Sequence, residues 1–112
     1  MEREFIYVPS FEKKWSNLNL DDDDMMLLED YIMKNPNAAV IMQGTGGLRK
    51  LRWPLPGFGK SSGIRALYVD FVYHGKIFMI DLFAKNEKDN LSPRERNAVK
   101  QVIQALEKEL EL

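Results

Sequence analysis

The sequence predicts an α+β domain: a small, mostly antiparallel β-sheet preceded by two helices and followed by one. Three observations carry that expectation. Apolar residues recur at helical spacing before residue 35 and again after residue 92. Strand-like runs fill the stretch between, and capping or turn residues stand at the junctions. With 112 residues and no repeat, low-complexity tail or linker, residues 1–112 form one domain.

Each element follows in order. The run EFIYV (residues 4–8) is a short strand ended by Pro9. From Ser10, the positions of Phe11, Trp15 and Leu18 give a short amphipathic helix. LDDDDMMLLEDYIMKNP is a second helix, with Asp21 as its cap and Asp22 to Asp24 in its first turn, where carboxylates suit the dipole. Asn35 and Pro36 stop it. AAVIM and LRKLRW are strand candidates, the latter ending at Pro54, and IRALYVDFVY and KIFMIDLFA flank a turn at His74-Gly75. Ser92, Pro93 and Glu95 then open a helix in the pattern of a capping box. Its apolar stripe comprises Ala98, Val99, Val102, Ile103, Leu106 and Leu110. The simplest packing sets all helices on one sheet face.

Composition limits the chemistry. With no cysteine, the chain has no disulfides, thiolate nucleophiles or cysteine–zinc sites. The N-terminal apolar run is too short for a signal peptide, and no run approaches the ~20 residues of a membrane helix. A soluble, cytoplasmic protein is expected, with no membrane partner. The net charge of −1 hides a strong asymmetry. Residues 1–30 carry nine acids and three bases, residues 31–69 no acid and six bases, and residues 70–112 eight acids and seven bases. The middle third therefore makes a positive field on a nearly neutral molecule.

That charge coincides with glycine. Gln43 to Arg65 holds six of the seven glycines, five Lys or Arg residues and no acid. A nucleotide loop is the first thought, and it fails. Gly59-Lys60-Ser61 resembles the end of a P-loop, but Pro54 stands where its first glycine belongs and a strand follows. A G-x-G-x-x-G reading puts Arg49 at its last glycine. What remains is geometry. Lys50 and Arg52 share one strand face while Leu51 and Trp53 share the other, and Arg65 opens the next strand. Pairing of those strands would bring three cations together. A merely solvated sheet face normally mixes signs to avoid repulsion, so a polyanionic partner is the sharper expectation.

In KIFMIDLFAK, strict alternation puts Ile77, Met79, Asp81, Phe83 and Lys85 on one face. An aromatic between charges suits base stacking, and Asp81 is as well suited to orient Arg65 or Lys85 by ion pairing as to take part in the chemistry. His74 belongs to a turn, and Asp21 to Asp24 are a solvated cap rather than a metal site.

The segments QGTGGLRKLRW, GKSSGIRALY and LFAKNEKDNLSPRE, in this order, resemble the RelE/ParE superfamily of bacterial toxins, most closely its HigB-like branch. The similarity runs from Gln43 to the chain end, and the two helices before it fit. The resemblance implies a RelE-like fold and a type II toxin that pairs with an antitoxin. It implies cutting of mRNA in the ribosomal A site without metal or cofactor, the ribose 2′-OH attacking the adjacent phosphate. The family's catalytic cations fall on Lys50, Arg52, Arg65 and Lys85. Arg49 and Lys60 become RNA-backbone contacts and Phe83, where many relatives have Tyr, a stacking residue. Arg65 is the first choice to grip the phosphate and Lys50 the candidate base. On the same fold, a non-enzymatic gyrase inhibitor and an inactive antitoxin-binding homologue are the alternatives.

Overall fold

The computed structural model describes residues 2–55, 63–88 and 90–111. Its helices start where local chemistry can satisfy their first N–H groups. α1 (Pro9–Asn17) opens on a proline, whose missing N–H would have had no partner there. Phe11 and Trp15, four residues apart, are its buried pair. α2 (Asp22–Lys34) has a reciprocal cap. The Asp21 carboxylate accepts from the Asp24 N–H at 2.9 Å, and the Asp24 carboxylate accepts from the Asp21 N–H at 3.0 Å. α2 ends at Asn35, as expected. α3 (Pro93–Leu110) repeats the device with Ser92 and Glu95, at 3.1 and 2.9 Å.

Five strands complete the domain: β1 (Glu4–Tyr7), β2 (Val40–Ile41), β3 (Arg49–Pro54), β4 (Gly63–Phe71) and β5 (Lys76–Ala84). Their order across the sheet is β1-β5-β4-β3-β2, antiparallel throughout except for β1 against β5. The architecture is the α+β fold expected. The N-terminal edge is pinned by ion pairs from Arg3 to Asp70 at 2.8 Å and from Lys76 to Glu4 at 2.6 Å. Between β4 and β5, Val72–His74 form one 3₁₀ turn closed by Gly75 in the left-handed region. Glycine meets no side-chain penalty there.

Helices cover both faces of the sheet, not one. Phe11, Trp15, Leu28 and Ile32 of α1 and α2 pack on Leu51, Ile64, Ala66, Tyr68, Ile77 and Met79. Ile103 of α3, with Met42, Leu48 and Leu91, packs on Leu67, Val69, Phe71, Phe78 and Phe83 from the other side. The central strand β4 is therefore buried on both faces, which explains its nearly unbroken apolar run. The α3 stripe is narrower than expected. Val99, Ile103, Leu106 and Leu110 reach the core, whereas Ala98 is exposed and Val102 is 47% exposed.

Strict alternation also fails along β5. Leu67 pairs with Asp81 but Tyr68 pairs with Met79, so Ile80 is an extra residue in a bulge. The insertion shifts every later side chain by one face. Leu82 joins Ile77 and Met79 under α1 and α2, while Phe83 joins Phe78 on the α3 side. Among the described residues, no helix is long and apolar enough to cross a membrane.

Candidate nucleic-acid interface

The glycine-rich run has a structural task before it has a functional one. Thr45 is buried between Met42 and Leu48, donating to the Met42 carbonyl at 2.6 Å and accepting from the Leu48 N–H at 3.0 Å. Gly44, Gly46 and Gly47 all take positive φ around it. The result is a tight turn that aims β3. Gly46 lies against α3, where a Cβ would meet Ile103 and Lys100 at 3.7 Å. Arg96 of α3 braces the same turn by donating to the Gln43 carbonyl at 3.0 Å. Sequence reasoning missed Arg96, because one arginine in a helical turn carries no spacing signal.

β3 and β4 then bring the cations together. Arg52 stands directly opposite Arg65, and Lys50 opposite Leu67. Side chains directly opposite in an antiparallel pair share a face, with Cβ atoms about 4.5–5.5 Å apart. Two guanidinium groups so placed repel, and that arrangement favours an anion between or above them. Exposure falls toward the sheet centre: Arg52 is exposed, Lys50 half-buried and Arg65 only 4% exposed. Arg65 is not without a partner, as a buried guanidinium requires. Lys85 follows the last residue of β5, and its N–H donates to the Gly63 carbonyl at 2.9 Å. That bond ties the end of β5 to the start of β4, two residues from Arg65. Gly63 itself has no room for a side chain, since a Cβ would lie 2.7 Å from the Trp53 carbonyl oxygen. Arg52, Arg65 and Lys85 thus gather toward the Pro54–Gly63 end of the sheet, with Lys50 two residues before Arg52 along β3.

Other expected residues are placed differently. Lys60 lies outside the described residues. Arg49 precedes Lys50 in the strand and so faces the opposite side, where it donates to the Ala39 carbonyl at 2.9 Å. It stands near the buried Tyr68 hydroxyl, whose pKa is raised above its ordinary value chiefly by burial. Phe83 is opposite Arg65, but the bulge turns it into the α3-side core at 4% exposure, with the Lys88 ammonium 5.1 Å from its ring centroid. It offers no open face for stacking. Asp81 pairs with Lys14 of α1 at 2.5 Å rather than with Arg65 or Lys85. His74 is exposed at the far end of β4.

Lys88 carries the chemistry that the sequence did not disclose. It forms an ion pair with Glu95 at 2.5 Å while lying over Phe83. The Lys88 ammonium, then the Ser92 N–H, hold the Glu95 carboxyl down at about 2 against an ordinary 4.5. One pair therefore links the turn after β5 to the start of α3.

A family model for the RelE toxin of the RelE/RelB toxin–antitoxin system matches residues 10–111 of this chain. The chain belongs to the RelE toxin family. It is a toxin of a toxin–antitoxin system, and RelE toxins pair with an antitoxin. The match runs from α1 to the end of α3, so all four clustered cations of this RelE toxin fall inside it, and β1 lies outside.

Proposed function

We propose that this RelE-family toxin is a ribosome-dependent mRNA endonuclease of the HigB-like kind, acting in the cytoplasm on messages held in the ribosomal A site. The observation that supports it is the pairing of Arg52 with Arg65 at one register position, flanked by Lys50 and Lys85. In the reaction, the ribose 2′-oxygen bonds to the adjacent phosphorus as the bond to the 5′-oxygen breaks. The products are a 2′,3′-cyclic phosphate and a free 5′-OH. Lys50 is the candidate acceptor for the 2′-OH proton, and the departing 5′-oxygen takes up a proton in turn.

Negative charge grows on the phosphoryl oxygens as the new bond forms. A planar guanidinium can bind two of those oxygens at once, which makes Arg65 the central clamp and Arg52 its outer partner. Arg65 is held by the fold before substrate arrives, so little reorganisation is needed when charge develops. Lys85 adds a third cation from the β5 end.

Inducing the toxin in cells and mapping RNA 5′ ends tests this reading. Cuts inside translated codons are the expected result, and Arg52→Ala should abolish most of them. Intact mRNA with DNA-damage signalling would replace the reading with gyrase inhibition. A toxin that leaves both RNA and DNA untouched would leave only antitoxin binding. Binding to RNA should weaken steeply with added salt, because each phosphate contact releases a counterion.

A further inference from the structure

The helix α2 is apolar on two sides. Leu28 and Ile32 are its buried residues, yet Met26 and Leu27 stand 64% and 62% exposed, and Met33 is exposed as well. A surface helix ordinarily turns one apolar stripe inward and a charged face outward, and one that is apolar all round belongs in an interior. At about 100° per residue, Met26, Leu27, Asp30 and Met33 fall together on the face opposite Leu28 and Ile32. Asp22 and Asp23, both exposed, lead into that face. Past Met33 the surface opens into a cleft of about 540 Å³ bounded by Glu2, Arg3, Glu4, Met33 and Gly75. Among the described residues, the carboxylates of Glu2, Asp22 and Asp23 have no hydrogen-bond or ion-pair partner, whereas the nearby bases Lys34 and Arg3 are already paired, with Asp30 and Asp70.

Charge decides among the occupants. RNA or an anionic membrane surface would be repelled by these carboxylates, and the paired Lys34 and Arg3 offer neither a spare cation. A second copy docked through the same face would set the same acids against one another. A protein segment with Lys or Arg beside apolar side chains meets both halves of the face. Methionine, flexible and polarizable, suits such a contact. Toxins of this family pair with an antitoxin, which supplies a protein partner for a face that RNA cannot use. Gly75 closes the turn at the opposite end of β4 and β5 from Gly63, so the cleft lies away from Arg52, Arg65 and Lys85.

We infer that the outer face of α2, with the cleft beside Met33, is a docking surface for a basic amphipathic segment of the antitoxin. Met26 and Leu27 are its apolar anchors, and Glu2, Asp22 and Asp23 are its charged rim. The surface holds the antitoxin without using the cation row, so binding and toxicity are separable by substitution. It also gives a task to the acidic first third of the chain, which the nuclease proposal leaves unused.

The test measures affinity for the separately purified cognate antitoxin by calorimetry, beside growth arrest and its relief on co-expression. Met26→Lys/Leu27→Lys should raise Kd about a hundredfold, about tenfold for each anchor. It should still arrest growth, and relief should need more antitoxin. Both side chains are exposed, so its melting temperature should match wild type and misfolding cannot imitate the result. Asp22→Asn/Asp23→Asn should weaken binding severalfold and flatten its salt dependence. Arg52→Ala should bind antitoxin as wild type does. An unchanged Kd in the folded lysine variant overturns the proposal, as does a salt dependence that the asparagine variant leaves unaltered. A loss of affinity in Arg52→Ala as large as that of the lysine variant would put the antitoxin on the cations and overturn it too. So would a folded lysine variant that no longer arrests growth. The binding measurements need no RNA cutting, so failure of the nuclease proposal is a separate outcome.

Discussion

Arg52 and Arg65 occupy the same register position on neighbouring strands, yet the sheet treats them in opposite ways. β2 pairs only with Arg49 and Lys50, so by Arg52 the strand β3 has become the edge of the sheet. Arg65 sits on β4, flanked by β3 and β5 and packed beneath helices on both sides. An edge guanidinium is held cheaply and can move to meet a substrate. A central one is fixed by the fold and is part of it. The difference shows how one small sheet can supply both a rigid clamp and an adaptable one, and it ranks the consequences of substitution.

Arg65→Ala should have the largest effect. RNA cutting should fall by ~10²–10³, the typical cost of one charge-stabilising donor. Stability should also fall by about 1–3 kcal/mol, since a buried side chain and the interaction it makes are both lost. A urea melt beside RNA-end counts reads both. Arg52→Ala should match the loss of cutting while changing stability by no more than about 0.5 kcal/mol. Equal destabilisation by the two variants would erase the contrast. Gly63→Ala comes next: its methyl group would press on the Trp53 carbonyl where β3 and β4 close together. A cost of about 1–3 kcal/mol is expected by urea melt, with weaker cutting because the cation row loses its register.

Smaller effects sharpen the comparison from the α3 side. Ser92→Ala should cost about 1 kcal/mol through the lost cap. Glu95 adds a pH signature. Its folded pKa of about 2 lies below the ordinary 4.5, so its contribution is complete above the higher value and lost as pH falls toward the lower. Melting temperature followed from pH 5 to pH 2 should show that decline, and Glu95→Gln should flatten it. Smallest of all, Val102→Lys should lie within about 0.5 kcal/mol of wild type, because that position faces solvent.

What the sequence disclosed was local. Asp21 and Ser92 mark helix starts because a cap and its partner lie three residues apart, within one turn. The pairing of Lys50 and Arg52 with Arg65 followed from period-two alternation and one loop. The bulge at Ile80 was hidden because adjacent apolar pairs, Phe78-Met79 before it and Leu82-Phe83 after Asp81, suit either face, so one extra residue leaves no clear break in pattern. Phe83 was misplaced for that reason and because α3 covers the sheet face that was expected to be open. The burial of Arg65 was nearly legible. IRALYVDF interrupts its apolar run only at Arg65 and Asp70, the mark of a strand covered on both faces. Arg49 illustrates the opposite error: grouping by charge overlooked that its neighbour Lys50 must point the other way.

Of the five strands, β1 is synthesised first and is among the last to find its place. The Glu4–Lys76 pair that fastens it spans 72 residues of chain. Such distant closure is slow compared with the neighbouring hairpins. A polypeptide halted at His74 would already contain Lys50, Arg52 and Arg65, while β4 lacked its inner neighbour and residues 4–7 had nothing to grip. Translation thus delivers the charges first and their frame afterwards, and an unfinished molecule carries ammunition without a barrel.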